Sequence, residues 1–322
     1  MRDVSDGGGA AVSASRTAAS ASAVLEEIAD GVHAYVQETG GWCVNNAGVL
    51  LDKDRAPVVV DTVATEARAR RFGEAVRRLG GAAPRVLVNT HFHGDHTFGN
   101  ALVAGPDTVI VAHERARQEM AAAGLGLTGL WPGVEWGTIE LRLPDTTYDR
   151  RMELHVGGRT VQLLHPGPAH TTGDTVVWLP ADRVLFAGDV VLPGCTPFLL
   201  MGSVRGSLRA LAELRALAPR VVVGGHGPLA GPEAIDETER YLRWLLRTAE
   251  DARAAGLAPL EAARQLGAHP FQDWTDPERL VGNLHRAYAE AAGAPEGEPL
   301  DVVRVFGEMV EFNDGRLPTC HA

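Results

Sequence analysis

The stretch His91-Phe92-His93-Gly94-Asp95-His96 packs three imidazoles and a carboxylate into six residues. These groups are hard-to-borderline metal donors, and a short His-rich tract is itself a metal signal. The preceding Arg85-Val86-Leu87-Val88-Asn89 is β-branched and apolar, and reads as a buried strand. The donors therefore stand on the loop that leaves a strand, at the edge of a sheet. In extended chain, residues i and i+2 face the same way, so His91 and His93 can grip one ion. Asp95 and His96 fall where the chain turns and can reach a second. A His-rich surface loop that binds nothing is the competing reading, and it leaves so dense a set of donors unexplained.

Further donors occur far along the chain in the same setting. His170 follows Pro166-Gly167-Pro168-Ala169, Asp189 follows Val184-Leu185-Phe186-Ala187-Gly188, and His226 follows Val221-Val222-Val223-Gly224-Gly225. Each sits just past an apolar run with a glycine nearby, on the kind of loop that a rigid scaffold uses to present functional groups. Together they make five histidines and two aspartates, enough for two metal ions with a bridging carboxylate and a bridging water. An imidazole-rich set with carboxylates suits zinc.

The ordered series His-x-His-x-Asp-His, Gly-Pro-Ala-His-Thr, Gly-Asp after a strand and Gly-Gly-His-Gly-Pro resembles the metallo-β-lactamase superfamily, over roughly Val32 to Pro228. The resemblance implies an α/β fold, the αβ/βα sandwich, with metals at one edge between two sheets. It also implies that His91, His93 and His170 bind a first zinc. Asp95, His96 and His226 would bind a second, with Asp189 bridging the two zinc ions. Asp95, Asp189 and a bridging hydroxide are the catalytic groups that it implies. Asp61, at the end of Val58-Val59-Val60, matches the superfamily's aspartate that orients a ligand histidine from behind. The commonest zinc β-lactamases carry Cys where this chain has Asp189, which argues against antibiotic hydrolysis. The di-iron flavoprotein branch carries Glu where this chain has His93, which argues against redox iron.

The bulk properties narrow the function further. At 322 residues and 45% hydrophobic content, one large α/β domain with an extension is expected. A formal charge of −11 is the wrong sign for gripping nucleic acid. Cys43, Cys195 and Cys320 are few and far apart, and fit free thiols in a reducing cytoplasm rather than a disulfide framework. Cys195 falls near the expected metal edge and reads as a small buried hydrophobe. Residues 1–24 are rich in Ala, Ser and Gly without an apolar run, and read as a disordered tail before a fold domain over 25–322. No stretch has the length and apolarity of a membrane span.

Strands are expected at Val32–Val36, Gly48–Asp52, Val58–Asp61, Thr108–Ala112, Glu153–Val156, Val161–Leu164, Thr175–Leu179, Val184–Ala187 and Arg220–Val223. Helices are expected at Thr65–Leu79, His113–Ala123 and Arg205–Leu217, and then, from about residue 232, as a C-terminal helical extension packed on the sandwich. Gly124-Leu125-Gly126-Leu127-Thr128-Gly129 has dinucleotide-loop spacing but follows a helix instead of a strand, so that reading is set aside. The apolar loops Gly124–Trp136 and Thr196–Met201 read as walls of a binding mouth for a flat, apolar substrate. Arg68, Arg70, Arg71, Arg77 and Arg78 stand on one helix, as a solvated face or a receiver of an acidic protein. Of the histidines without partners at ligand spacing, His165 is the one expected near the site.

A closer resemblance rests on Gly40-Gly41-Trp42-Cys43-Val44-Asn45-Asn46-Ala47-Gly48, Thr128-Gly129-Leu130-Trp131-Pro132, Pro197-Phe198 and Leu317-Pro318-Thr319-Cys320. These are similar to the metallo-β-lactamase-fold second-ring cyclases of aromatic type II polyketide pathways such as actinorhodin. The resemblance implies a partly cyclised poly-β-ketone held on an acyl carrier protein, aldol ring closure with dehydration, and thioester release. Trp42, Trp131 and Phe198 would line the substrate pocket. The alternative is a zinc hydrolase of a small thioester or lactone, similar to glyoxalase II. A non-catalytic scaffold should have lost ligands, and all seven are present.

Overall fold

Strict alternation along Val58-Val59-Val60 sends Val58 and Val60 to one buried cluster and Val59 to another, and this two-sided burial explains the architecture. The structure is a computed structural model that describes residues 23–37, 40–52 and 55–322. One seven-stranded sheet runs in chain order through β1 (Val24–Ala29), β2 (Val32–Val36), β3 (Ala47–Asp52), β4 (Arg55–Val60), β5 (Val86–Val88), β6 (Val109–His113) and β7 (Thr146–Tyr148). A five-stranded sheet comprises β8 (Arg151–Val156), β9 (Arg159–Leu164), β10 (Val176–Leu179), β11 (Val184–Gly188) and β12 (Val221–Gly224), in the order β12-β11-β10-β9-β8.

Between the sheets, Val32, Leu50, Val58, Val60, Val88 and Val111 meet Val161, Leu163, Val177, Leu179, Phe186 and Val223. The sheets approach closely here: a Cβ on Gly48 would lie 2.5 Å from the Phe186 ring, so glycine is required at that position. On the outer face of the first sheet, Val49, Val59, Leu87 and Ile110 pack against Phe72 and Val76 of α1 (Glu66–Gly80). That helix starts at Thr65 and ends at Gly81 in the left-handed conformation, φ 72°.

The short helices α2 (Gly94–Thr97) and α3 (Asn100–Val103) follow β5, and α4 (Glu114–Ala123) and α5 (Leu127–Leu130) follow β6. The outer face of the second sheet carries α6 (Val204–Ala216), α7 (Glu233–Ala254), α8 (Pro259–Gln265), α9 (Arg279–Ala291) and α10 (Val302–Phe312). Val176, Trp178, Leu185 and Val222 share one buried cluster with Leu211, Leu242, Leu245 and Leu284, so the C-terminal helices pack on the sandwich as expected. The layers run α/β/β/α.

Two strands escaped the sequence reading. β1 has the mixed sequence Val-Leu-Glu-Glu-Ile-Ala and takes its place only by pairing with β2 at the sheet edge. It begins at Val24, the last residue assigned to the tail; residues 1–22 lie outside the described residues. β7 is three residues long and pairs with β6. The segment Gly124–Gly129 follows α4, as anticipated. Among the described residues no helix is long and apolar enough to cross a membrane.

Candidate metal centre

Parallel pairing determines where the donors meet. β4, β5 and β6 run parallel in one sheet, and β11 and β12 run parallel in the other. The C-terminal ends of these strands open at one edge of the sandwich, where Asp61 follows β4, His91 to His96 follow β5, Asp189 follows β11 and His226 follows β12. Cross-bonds tie the edge together: Thr175 N donates to Thr90 O at 2.7 Å, Asn46 N to Gly225 O at 2.6 Å, and Asn46 Nδ2 to Gly224 O and Gly227 O, both at 2.9 Å.

The seven donors expected from the sequence converge in two adjoining groups. His91, His93, His170 and Asp189 form one; Asp95, His96 and His226 form the other; within each, one donor atom per residue lies within 4.8 Å of the rest. His93 Nδ1 is 3.1 Å from His91 Nε2 and 2.8 Å from His170 Nε2. His226 Nε2 is 3.3 Å from Asp95 Oδ2. Asp189 sits between the groups, its carboxylate 3.4 Å from His170 Nε2, 3.5 Å from His226 Nε2 and 3.2 Å from His96 Nε2.

The far nitrogen of each ring shows which way it is turned. His170 Nδ1 lies 2.5 Å from Phe198 O, His226 Nδ1 3.1 Å from Gly41 O, and His96 Nδ1 2.9 Å from Asp61 Oδ2. Those acceptors require N–H at Nδ1 and leave the Nε2 lone pairs aimed into the cluster. His96 Nε2 and Asp189 Oδ1 are buried without a hydrogen-bond partner, although they are only 3.2 Å apart. Converging lone pairs and orphaned polar atoms are costly in a protein interior unless a cation satisfies them. The residues therefore fit two metal ions, one per group, with Asp189 able to serve both.

Burial disfavours the charged imidazoles, lowering His93 to about 3 and His170 to about 4 and placing His91 well below the usual value. Burial also works against a charge on His226, but Asp189 and Asp95 outweigh it and raise the ring to about 9. Asp189 is likewise opposed by burial, and the surrounding His226, His96 and His170 hold it well below the carboxylate range. The cluster thus keeps its carboxylates ionised and the first group's imidazoles neutral, the forms that ligate metal, while the carboxylates raise His96 and His226, which would give up a proton on binding metal.

The family assignment follows from comparison with known sequences. A family model described as the metallo-beta-lactamase superfamily matches residues 40–226, more than half of the chain. The chain belongs to the metallo-beta-lactamase superfamily. Two curated proteins illustrate what the chain is similar to. Hydroxyacylglutathione hydrolase of Methylococcus capsulatus is 28% identical over 237 residues, covering 71% of this chain and 79% of that protein. The alpha subunit of 2,4-dinitroanisole O-demethylase of Nocardioides sp. is 28% identical over 153 residues, 46% of this chain and 42% of the relative's length. The solved metallo-beta-lactamase from Pontibacter korlensis superposes with TM-score 0.56 at 22% identity, over 69% of this chain and 99% of that one, which shows the shared fold.

Above the two groups of this metallo-beta-lactamase-fold chain lies a narrow cavity of about 60 Å³. Trp42, Trp131 and Phe198, expected on its wall, all line it, together with Leu127 and Leu130 of α5, Phe306 of α10 and Arg279 of α9. Trp42 is 5.5 Å from Trp131 and 5.1 Å from Phe198, and Trp131 is 5.5 Å from Phe306, between ring centroids.

Sequence reasoning missed several groups. Arg279 is 2% exposed, donates to Thr196 O at 3.0 Å, pairs with Asp276 at 2.8 Å and stacks 4.1 Å above the Trp42 ring. Apart from Asp276 three residues before it, nothing local marks it, because Thr196 and Trp42 lie far along the chain. Asp174 accepts from Ala169 N, Thr171 N and Thr171 Oγ1, holding the His170 loop, and burial raises it to about 7. Its place in Thr171-Thr172-Gly173-Asp174, a run of turn formers, was the available signal.

Other expectations need adjustment. His165 does not line the cavity; it stacks on His113 with centroids 3.8 Å apart, because its Nδ1 is drawn 2.7 Å from Asp174 O. Arg68 is not part of a solvated face: it turns inward to Gln37 Oε1 and His321 O, each at 2.7 Å. Arg70 is paired with Glu66, whereas Arg71 and Arg77 form no ion pair among the described residues. Cys195 is buried, as expected.

Proposed function

We propose that this chain is a dinuclear zinc enzyme acting on an aromatic polyketide intermediate carried as a thioester on an acyl carrier protein. It closes a later ring by aldol condensation and dehydration, and releases the product by thioester cleavage. The observation that carries this reading is the cavity wall, where Trp42, Trp131, Phe198 and Phe306 stand beside the ligand groups. Aromatic walls with few polar points select flat, apolar substrates. A relative named for 2,4-dinitroanisole, an aromatic ether, is consistent with such a substrate in this fold.

Zinc held by His91, His93 and His170, and by Asp95, His96 and His226 with Asp189 shared, would supply Lewis acidity toward a carbonyl and would acidify water. The chain's own groups have separable tasks. Asp95 and Asp189 line the cavity as carboxylates and are the candidate bases. In the aldol step a C–H bond of an activated methylene breaks, its electron pair forms the new C–C bond, and the former ketone oxygen takes a proton. Dehydration then expels water, and hydrolysis adds one water across the C–S bond to give an acid and a thiol. The aromatic rings exclude bulk water and hold the chain against the reacting end. Arg279, held by Asp276 and Thr196 O, stacks on Trp42 and fixes the orientation of that wall ring.

Reconstitution with a minimal polyketide synthase tests the proposal. A changed ring pattern when this chain is added is the expected result, and identical product profiles would refute the cyclase. The second reading, hydrolysis of a small thioester or lactone, is favoured by the similarity to hydroxyacylglutathione hydrolase. Efficient turnover of a glutathione thioester would establish it. Among the described residues the apolar cavity offers Arg279 as its one cationic side chain apart from the histidines, a poor match for a polar, charged tripeptide.

A further inference from the structure

The C-terminal segment is tied down at three points, two of them on residues of the cavity wall. Trp131 Nε1 donates to Pro318 O at 2.7 Å, His321 N donates to Trp42 O at 3.1 Å, and Arg68 Nη2 donates to His321 O at 2.7 Å. Trp42 and Trp131 are themselves wall residues, so the strap is anchored to the cavity lining. A backbone bond between neighbouring chains brings adjacent Cα atoms to roughly 5 Å, within the span of a disulfide. Here the bonded pair is His321 and Trp42, so Cys320 and Cys43 are each one residue from it, and Cys320 packs against the buried cluster that contains Cys43. Cys43 lines the cavity, is 2% exposed and has φ 65°, a left-handed conformation rare for a non-glycine residue. Cys195, the remaining thiol, is committed elsewhere, 3.4 Å from Gly40 O.

We propose that Cys43 and Cys320 are a thiol modification site: a two-electron oxidant such as a peroxide joins them as a disulfide that locks the C-terminal strap onto the cavity wall. The roles follow from exposure. Cys320 is the partly exposed member and Cys43 the buried one. Contact with Cys43 also lowers the Cys320 thiol from its ordinary value, which favours the nucleophilic form. The Cys320 thiolate attacks one peroxide oxygen, the O–O bond breaks, and the departing oxygen leaves as water, giving a sulfenic acid. Cys43 loses its proton and attacks that sulfur, the S–O bond breaks, and a second water leaves. Two thiols are oxidised by two electrons and one hydrogen peroxide becomes two waters. Because Trp131 Nε1 and Trp42 O hold the strap, the locked form would fix two residues of the cavity wall. The bond itself stands whatever the substrate; only its effect on turnover rests on the function proposed above.

The test uses the full, metal-loaded chain treated with hydrogen peroxide, then alkylated and mapped by mass spectrometry without reduction. The expected product is a single Cys43–Cys320 crosslinked peptide, two hydrogens lighter than the pair, with Cys195 alkylated and the bond reversed by dithiothreitol. Hydrogen–deuterium exchange over residues 314–322 should slow several-fold on oxidation in the wild type and stay unchanged in Cys320→Ser. Alkylation of both Cys43 and Cys320 after oxidation, or pairing through Cys195 or between chains, overturns the site. A correct disulfide with unchanged exchange overturns the lock. Loss of the lock with cyclisation intact, or the reverse, separates this inference from the proposed reaction.

Discussion

Asp61 holds two of the ligand histidines at once, one directly and one through Thr90. Its Oδ2 lies 2.9 Å from His96 Nδ1 and accepts the Thr90 hydroxyl at 2.7 Å, while Thr90 Oγ1 lies 3.0 Å from His91 Nδ1. The Thr90 hydroxyl gives its proton to Asp61, so its lone pairs face the His91 N–H. One carboxylate thereby sets the tautomer of a histidine in each metal group. Asp61 adopts φ 59°, a conformation that asparagine tolerates, so Asp61→Asn changes the charge with little backbone cost. Zinc affinity should fall roughly 10–100-fold at both groups. Competition against a chromogenic chelator measures it, and an unchanged affinity would refute the coupling.

Gly225 has no room for a side chain. A Cβ there would lie 1.8 Å from Asp189 Oδ1 and 2.8 Å from the Gly188 carbonyl carbon. Gly225→Ala should displace Asp189 without removing a ligand. Metal content should drop, and stability should fall by about 1–3 kcal/mol from overpacking. Elemental analysis paired with thermal melting checks this; full metal content would contradict it.

Asp189 and His93 should differ in reach. Asp189 lies within 3.5 Å of donors in both groups, whereas His93 belongs to the first alone. Asp189→Ala is expected to weaken both ions and His93→Ala only one. Stepwise zinc titration by calorimetry distinguishes them, and identical two-step profiles would count against a shared carboxylate.

Glu278 accepts from Trp42 Nε1 at 2.7 Å, and burial raises its pKa. A carboxyl raised on folding favours the folded state while protonated; that contribution is complete below the unfolded value and is lost as pH rises through the folded one. At neutral pH the buried charge is therefore a burden. Glu278→Gln keeps an acceptor for Trp42 and should melt higher than wild type at pH 7–8, with the difference shrinking below about pH 4. A gain independent of pH would be inconsistent with this account.

The site was legible to unequal degrees. His91 to His96 could be read because ligand spacing on one loop is local, and His170, Asp189 and His226 because each follows an apolar strand and a glycine. Trp42, Trp131 and Phe198 were chosen from apolar loops, but what they share depends on Phe306 and Val302, brought over from α10. Arg279 and Glu278 were read only as part of a C-terminal helix, since the Trp42 ring that gives them a role is 236 residues from Glu278. β1 and β7 went unread because each owes its pairing to a neighbouring strand more than to its own pattern.

By itself the sequence determined the donor set and the strand and helix rhythm, since periods of two and 3.6 and the spacing of ligands are local properties of a chain; the layered fold came from the family resemblance that those motifs carry. Only the tertiary structure decided how those donors divide into two groups around Asp189, which ring nitrogen each histidine presents, and that the C-terminal strap closes on the aromatic wall beside Cys43. Those outcomes depend on hydrogen bonds and contacts between residues far apart in the chain, such as Trp131 with Pro318 and Arg68 with His321. Local periodicity carries no information about such pairings; they arise when burying the apolar faces of two sheets and their covering helices brings distant loops to the same edge.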